Sequence, residues 1–332
     1  MGDVLKKRIL SGMRPTGKLH LGNLHGALNN WVILQNQDDY DCHYFVADWH
    51  ALTSDYSNTS LLKENITDMV IDWLSVGLDP NKSTLFVQSQ IKEHAELFLL
   101  LTTITPLAWL ERNPTYKEVK SELVEKDLAT YGFLGYPVLQ AADIIMYKAN
   151  GVPVGVDQLP HVELTREIAR RFNYFYGEVF PLPEPLLTVV PKLLGIDGRK
   201  MSKSYDNSIF LSDRGEQLRQ KVASMFTDPQ RQRKSDPGNP DICNVFAFHG
   251  LYSPADEVLQ LSTACRTAGI GCTDCKKKLA LQLGHSLEPV HERQDYYRAH
   301  AGQVQAILAE GEAKARAIAA NTMAEVRAAL KV

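Results

Sequence analysis

The stretch GIDGRKMSKSYDN, residues 195–207, sets Arg199, Lys200 and Lys203 within five positions of a glycine-tethered run that also carries three hydroxyl side chains. Cations packed so closely repel one another unless an anion sits among them, and a polyphosphate fits. A second stretch, SGMRPTGKLHLGNLHGAL, follows an apolar run ending at Leu10 and opens a helical pattern. Gly12, Gly17 and Gly22 then fall in a strand-to-helix turn, where backbone N–H groups can face an anion. His20 and Asn23, three residues apart, point in one direction near that turn. The run is not a Walker loop, which needs Gly-Lys followed by Ser or Thr, and it lacks the Gly-x-Gly-x-x-Gly spacing of dinucleotide folds. Sulfur forms a third cluster: Cys42 stands alone, whereas Cys243, Cys265, Cys272 and Cys275 follow the spacing Cys-x21-Cys-x6-Cys-x2-Cys. The close Cys272/Cys275 pair suits a two-ligand clip for zinc or for an iron–sulfur cluster.

These groups need elements to hold them. In the first half, RILSGM, CHYFVADWHALT and STLFVQS read as buried strands followed by loops. Between them, GNLHGALNNWVILQNQ and SLLKENITDMVIDWLSVG carry apolar residues at helical spacing. Strand alternating with helix predicts an α/β fold, a Rossmann-like doubly wound parallel sheet that binds ligands at the carboxyl ends of its strands. From about Ser208 the β-branched runs give way to Ala-, Leu- and charge-rich sequence such as EGEAKARAIAANTMAEVRAALKV. The expected organisation is a catalytic domain over 1–207 and an all-helical domain over 208–332, with DPGNPDIC as an internal loop of the latter.

A chain of 332 residues is long enough for two domains. Its formal charge of −3 excludes a general polycation, though local basic clusters stand at Arg231, Arg233 and Lys234 and at Lys276, Lys277 and Lys278, each expected as a solvated face. No window reaches the roughly 18 uninterrupted apolar residues of a membrane span. The start, MGDVLKKRIL, has no apolar core of a signal peptide, so a cytoplasmic protein with no membrane or DNA partner is expected. Without export, disulfides are not expected.

HLGN at 20–23 together with KMSKS at 200–204 resembles the two signatures of the class I aminoacyl-tRNA synthetases. LERNPTYKE, YPVLQAADI, VPVGVDQLPHVELTREIARRFN and DGRKMSKS extend the likeness through most of the chain, toward the bacterial tryptophan branch. The resemblance implies ATP with Mg²⁺, L-tryptophan and tRNA(Trp) as substrates and a homodimer as the assembly. It implies that His20, Asn23, Lys200 and Lys203, with Lys117 of TYK, meet the phosphates. Arg14, Pro15, Thr16, Gly22, Gly155, Val156, Asp157, Leu194, Met201, Ser202 and Ser204 complete the implied ATP site. Arg14 replaces a frequent Gln of relatives and Val156 a frequent Glu. A glycine ahead of paired polar residues suits a ribose, since Asp157 can accept from two hydroxyls.

For the amino acid, the resemblance implies Leu10, His50, Tyr136, Gln140, Asp143 and Gln158, with Gln140 where many relatives have Met. Tryptophan's one polar side-chain atom is its indole N–H, and a buried carboxylate is the strongest acceptor for it. The position at which the family places that acceptor is Asp143; the alternative role is a helix cap, which AADII permits. A subset of the branch carries a [4Fe–4S] cluster on cysteines of nearly this spacing, so the resemblance favours a cluster over zinc at Cys243, Cys265, Cys272 and Cys275, with free cysteines also open. Three other functions stay in view: a tyrosyl-tRNA synthetase, an inactive synthetase-like sensor or RNA partner, and an iron–sulfur redox protein.

Overall fold

The computed structural model describes residues 6–112, 130–187 and 193–332. Five strands form one sheet: β1 (Lys7–Met13), β2 (Tyr40–Val46), β3 (Ser83–Val87), β4 (Gly151–Val154) and β5 (Glu184–Leu187). All four pairings are parallel and the order is β3-β2-β1-β4-β5. Chain order runs outward from β1 in one direction and then resumes beyond it at β4. The strand order thus reverses between β1 and β4, the crevice where open α/β sheets take their ligands. β1 ends at Met13, just before Arg14–Pro15–Thr16, and β4 ends at Val154, just before Gly155–Val156–Asp157–Gln158. The expected doubly wound sheet is therefore present, with its predicted nucleotide residues at strand carboxyl ends.

Among the described residues, the α-helices of the first half are α1 (Leu21–Asn23), α2 (Asn29–Gln35), α3 (Asp48–Asp55), α4 (Leu62–Ser75), α5 (Glu93–Thr102), α6 (Leu107–Glu111), α7 (Tyr131–Met146) and α8 (Leu159–Tyr176). A π-helical turn, Leu24–Leu28, joins α1 to α2. CHYFVADWHALT departs from its reading: only its first part is strand, and α3 takes the rest where a loop was expected. The apolar run hides the change of period, but the Asp48 carboxylate accepts from the Ser89 N–H at 3.0 Å and fixes the start of α3 beside the end of β3.

The remaining helices are α9 (Gly215–Ser224), α10 (Asn244–Tyr252), α11 (Ala255–Arg266), α12 (Cys272–Ala299) and α13 (Ala301–Leu330). The chain divides into two compact units, one of Met1–Gly17, Asn29–Val189 and His300–Val332, the other of Lys18–Leu28 and Val190–Ala299. The sequence reading put a single break at 207/208. The chain instead returns α13 to the first unit and lends the HLGN segment to the second.

In the first unit, Leu10, Phe45, Phe86, Ile144, Val162 and Phe172 form one core with Ala315, Ala319, Met323 and Val326 of α13. That helix covers β3, an edge strand whose unpaired backbone would otherwise face solvent. A β-carbon at Gly311 would stand 1.8 Å from the Leu85 carbonyl oxygen, so only glycine admits this approach. In the second unit α9, α10 and α12 pack together around buried Leu218, Val222, Val245, Phe248, Leu279 and Leu283.

Candidate functional site

Within the first unit, Tyr136, Gln140 and Asp143 lie at i, i+4 and i+7 of α7 and so share one helix face. Thr130 caps this helix, its hydroxyl oxygen accepting from the Phe133 N–H at 3.2 Å. Asp143 stands near the other end, so the capping alternative for it is overturned. Its side chain is 1% exposed and fully hydrogen-bonded. His50 Nε2 of α3 reaches Oδ2 at 2.7 Å, His94 Nδ1 of α5 reaches Oδ1 at 2.6 Å, and the Gln88 amide donates to both oxygens at 2.8 and 3.0 Å. Burial works against the charged form, but the charges and hydrogen bonds of His50 and His94 outweigh it and hold the carboxyl below its ordinary value. Asp143 is thus an ionised, buried acceptor.

Tyr136 lies beside it, its hydroxyl 3.3 Å from His161 Nε2, and burial pushes the phenol up to about 12. Leu10 is buried in β1 with the core. After β4, the Gln158 amide donates to Asp157 Oδ2 at 3.2 Å, while Val156 is 70% exposed. A β-carbon at Gly155 would meet Asp157 Oδ1 at 2.7 Å, so glycine there leaves the carboxylate its place. After β1, Arg14 donates to the Ser54 hydroxyl at 3.1 Å, and Pro15, Thr16 and Gly17 border a cleft whose far wall is Ala51, Asp55, Asn58 and Asn65.

Within the second unit, the two signature stretches come together. His20 Nδ1 accepts from the Asn23 N–H at 3.3 Å, and Asn23 Oδ1 accepts from the His20 N–H at 3.0 Å, a reciprocal cap of α1. The imidazole therefore carries its neutral-form proton on Nε2. Burial, aided by the charge of Lys203, lowers His20 to about 4 and keeps it a neutral donor at pH 7. A β-carbon at Gly22 would lie 2.8 Å from His20 Nδ1 and 3.6 Å from Met201 Sδ, so HLGN and KMSKS touch here with no room to spare.

Backbone bonds from Gly195 N–H to the Arg199 oxygen, 2.7 Å, and a bridge between Leu194 and Lys200 close the KMSKS loop into a hairpin. Asn207, 1% exposed, staples it: its amide donates to Asp197 Oδ1 at 2.8 Å and to the Lys200 carbonyl at 3.1 Å, and its oxygen accepts from the Ser202 N–H at 2.8 Å. Arg199 is absorbed locally, paired with Asp197 at 2.7 Å and 4.5 Å over the Tyr205 ring. Of the three cations, Lys200 is exposed and Lys203 half-buried beside His20, whose proton affinity its charge lowers. Lys117 lies outside the described residues.

The chain matches the family described as tRNA synthetases class I (W and Y) over residues 6–288. It belongs to that family. It is 56% identical to the tryptophan–tRNA ligase of Thermotoga maritima over 326 residues, covering 98% of this chain and 99% of the relative. The tryptophan–tRNA ligase of Aquifex aeolicus is 46% identical, covering 98% and 100%. A solved tryptophanyl-tRNA synthetase of Campylobacter jejuni, complexed with ADP and tryptophan, superposes with a TM-score of 0.89 at 33% identity, covering 98% and 100%.

In this synthetase the four clustered cysteines line one small cavity with Thr227, Val245 and Ile270. Cys243 precedes α10, Cys265 lies in the last turn of α11, and Cys272 and Cys275 occupy the first turn of α12. Among the described residues, no three His, Cys, Asp or Glu side chains form a metal-binding group. Burial, then the neighbouring Cys243, Cys265 and Cys272, pushes the Cys275 thiol up to about 12. Arg231 departs from the solvated face expected of it. Its Nη2 donates to the Lys234 and Ile270 carbonyls at 2.8 and 2.7 Å, and Nη1 stands 4.0 and 3.9 Å from the sulfurs of Cys265 and Cys272. Gln88, His94 and Asn207 were not singled out by sequence. Asn207 sits in the quoted motif, and its short polar side chain after a turn was the available signal.

Proposed function

We propose that this synthetase activates L-tryptophan with Mg²⁺-ATP and transfers it to the 3′-terminal adenosine of tRNA(Trp). The observation that carries the reading is Asp143, a buried ionised carboxylate on a helix face shared with Tyr136 and Gln140, in a chain 56% identical to a tryptophan–tRNA ligase. A phenylalanine side chain would leave that charge facing an apolar edge, which is how one hydrogen bond discriminates by about 10⁴ or more.

In the first half-reaction a tryptophan carboxylate oxygen attacks the α-phosphorus, the bond to the bridging oxygen breaks, and pyrophosphate leaves with the electron pair. Lys200 and Lys203 meet the charge that grows on the departing oxygens, and His20 supplies its Nε2 proton as a hydrogen-bond donor. Such contacts favour the transition state over bound substrate. Gly155, Asp157 and the turn after β1 hold the nucleoside, while Gln158 turns toward the amino acid. In the second half-reaction a ribose hydroxyl of the terminal adenosine attacks the carbonyl carbon and AMP leaves. No covalent enzyme intermediate is needed.

The helical part of the second unit would receive the anticodon, with exposed Lys277 at hand for phosphate contacts. The cysteine cavity fits a cluster by its all-sulfur donor set and the cationic Arg231 beside it. Cys243, Cys265, Cys272 and Cys275 would hold a [4Fe–4S] group, zinc being the alternative, and the group when bound would cross-link three helices. Iron, sulfide and zinc analysis of protein purified without oxygen decides between them. A homodimer is the proposed assembly, on the resemblance alone. Among the described residues no helix is long and apolar enough to cross a membrane, and a cytoplasmic site is the proposed location.

Amino-acid-dependent exchange of labelled pyrophosphate into ATP tests the whole reading. Exchange with tryptophan alone is expected. Exchange with tyrosine would move the assignment to the sister enzyme, and exchange with neither would leave a binding scaffold.

A further inference from the structure

The carboxylate of Asp143 is held on its closed side by groups that touch no substrate in the reaction above. His94 is 0% exposed at its side chain, whereas His50, on the opposite oxygen, is 10% exposed and marks the side that a ligand can approach. His94 is itself oriented: its Nδ1 meets Asp143 Oδ1 at 2.6 Å, and its Nε2 meets the Tyr147 hydroxyl at 2.7 Å. Burial, then the Asp143 charge, pushes the Tyr147 phenol well above its ordinary value, so the hydroxyl stays protonated and holds the far side of the imidazole. Gln88 is oriented in the same manner. Its amide oxygen accepts from the Trp49 N–H at 3.1 Å, so the NH₂ group must face Asp143. Phe45 and Phe86 pack against the His94 ring and exclude water from this side.

We propose that Gln88, His94 and Tyr147 are positioning residues for tryptophan selection, clamping Asp143 so that it meets the indole N–H as an ionised acceptor of fixed orientation. The proposal rests on the reading of Asp143 as the indole acceptor. A carboxylate in this apolar surround would protonate or rotate without inward donors, and a protonated acid offers a weaker acceptor to the indole. Two inward donors, His94 and Gln88, each oriented by a second contact, remove both escapes, and the oxygen that meets His50 is the one on the side a substrate approaches.

The test uses L-tryptophan and its benzothiophene analogue, which has sulfur in place of the N–H and nearly the same shape. Dissociation constants for both are measured on the wild-type full-length enzyme and on Asp143→Asn, Tyr147→Phe, His94→Leu, His94→Asn and Gln88→Leu. Tyr147→Phe and His94→Leu are expected to weaken tryptophan by about tenfold to a hundredfold while the analogue moves by no more than about twofold. His94→Asn, which keeps a donor close to the Nδ1 position, is expected to recover part of the loss. Equal weakening of both ligands, or of neither, in Tyr147→Phe would overturn the clamp. That variant removes one oxygen atom, so it decides the matter even if His94→Leu melts. The underlying reading fails separately, if Asp143→Asn leaves the ratio of the two ligands as in wild type; if that variant collapses the ratio while the clamp variants keep it, only the clamp is wrong.

Discussion

The surroundings of Asp143 and the KMSKS loop solve opposite problems with the same kinds of group. Around Asp143 both carboxylate oxygens are committed, and the partners come from three elements that are themselves buried. In the loop the backbone is fixed by Asn207 and the Leu194–Lys200 bridge, yet Lys200 stays exposed. Selection between amino acids requires an acceptor that cannot rearrange, because rearrangement would admit the wrong partner. Leaving-group stabilisation requires charges that engage late, because a lysine bound equally to substrate and transition state lowers no barrier.

The contrast predicts effects of different kind as well as size. Asp143→Asn should lower kcat/KM for tryptophan in pyrophosphate exchange by about 10³-fold or more, with most of the loss in KM, since it removes the charge and sets an NH₂ group against one of the two histidines. A loss confined to kcat would break the comparison. Lys203→Ala should lower kcat by about 10²–10³-fold while tryptophan affinity without ATP changes by no more than about twofold. A matching fall in tryptophan affinity would make the loop part of the selective site.

Asn207→Ala removes three hydrogen bonds at a buried position and should cost about 1–3 kcal/mol of stability. Differential scanning calorimetry reads that cost, and kcat should fall further than the melting temperature implies if the staple sets where the lysines stand. The smallest effect is a pH dependence. His20 is held neutral to about 4 in the folded state, against about 6.5 in an unfolded chain. The folded state thus binds its proton later, so this contribution is fully present above about pH 6.5 and is lost as pH falls toward 4. His20→Asn keeps a capping side chain, and its melting temperature should fall less steeply than that of the wild type across that window.

Much of this was legible in order along the chain. β1, β3 and α4 follow from their apolar periods, and HLGN and KMSKS from their letters. The i, i+4, i+7 spacing of Tyr136, Gln140 and Asp143 fixes a shared face as soon as α7 is granted. Other features were not legible, for reasons that differ. Arg199 counted among three clustered cations in need of an anion, because charge counts do not tell that Asp197 and Tyr205 would absorb it. The alanine-rich C-terminal pattern announces a helix but not its partner, and the partner is the bare edge of β3, made only when the sheet forms.

By itself, then, the sequence determined what is local: the strand and helix periods, the cap formed by His20 and Asn23, the two motifs, and the sulfur spacing. Those depend on residues a few positions apart, where backbone geometry fixes who meets whom. Only the tertiary structure decided that Gln88, His94, His50 and Tyr147, spread over about a hundred residues, would converge on Asp143, and that α13 would close the sheet through Gly311. No spacing encodes such meetings, because they arise from burial of faces whose partners lie far away in the chain.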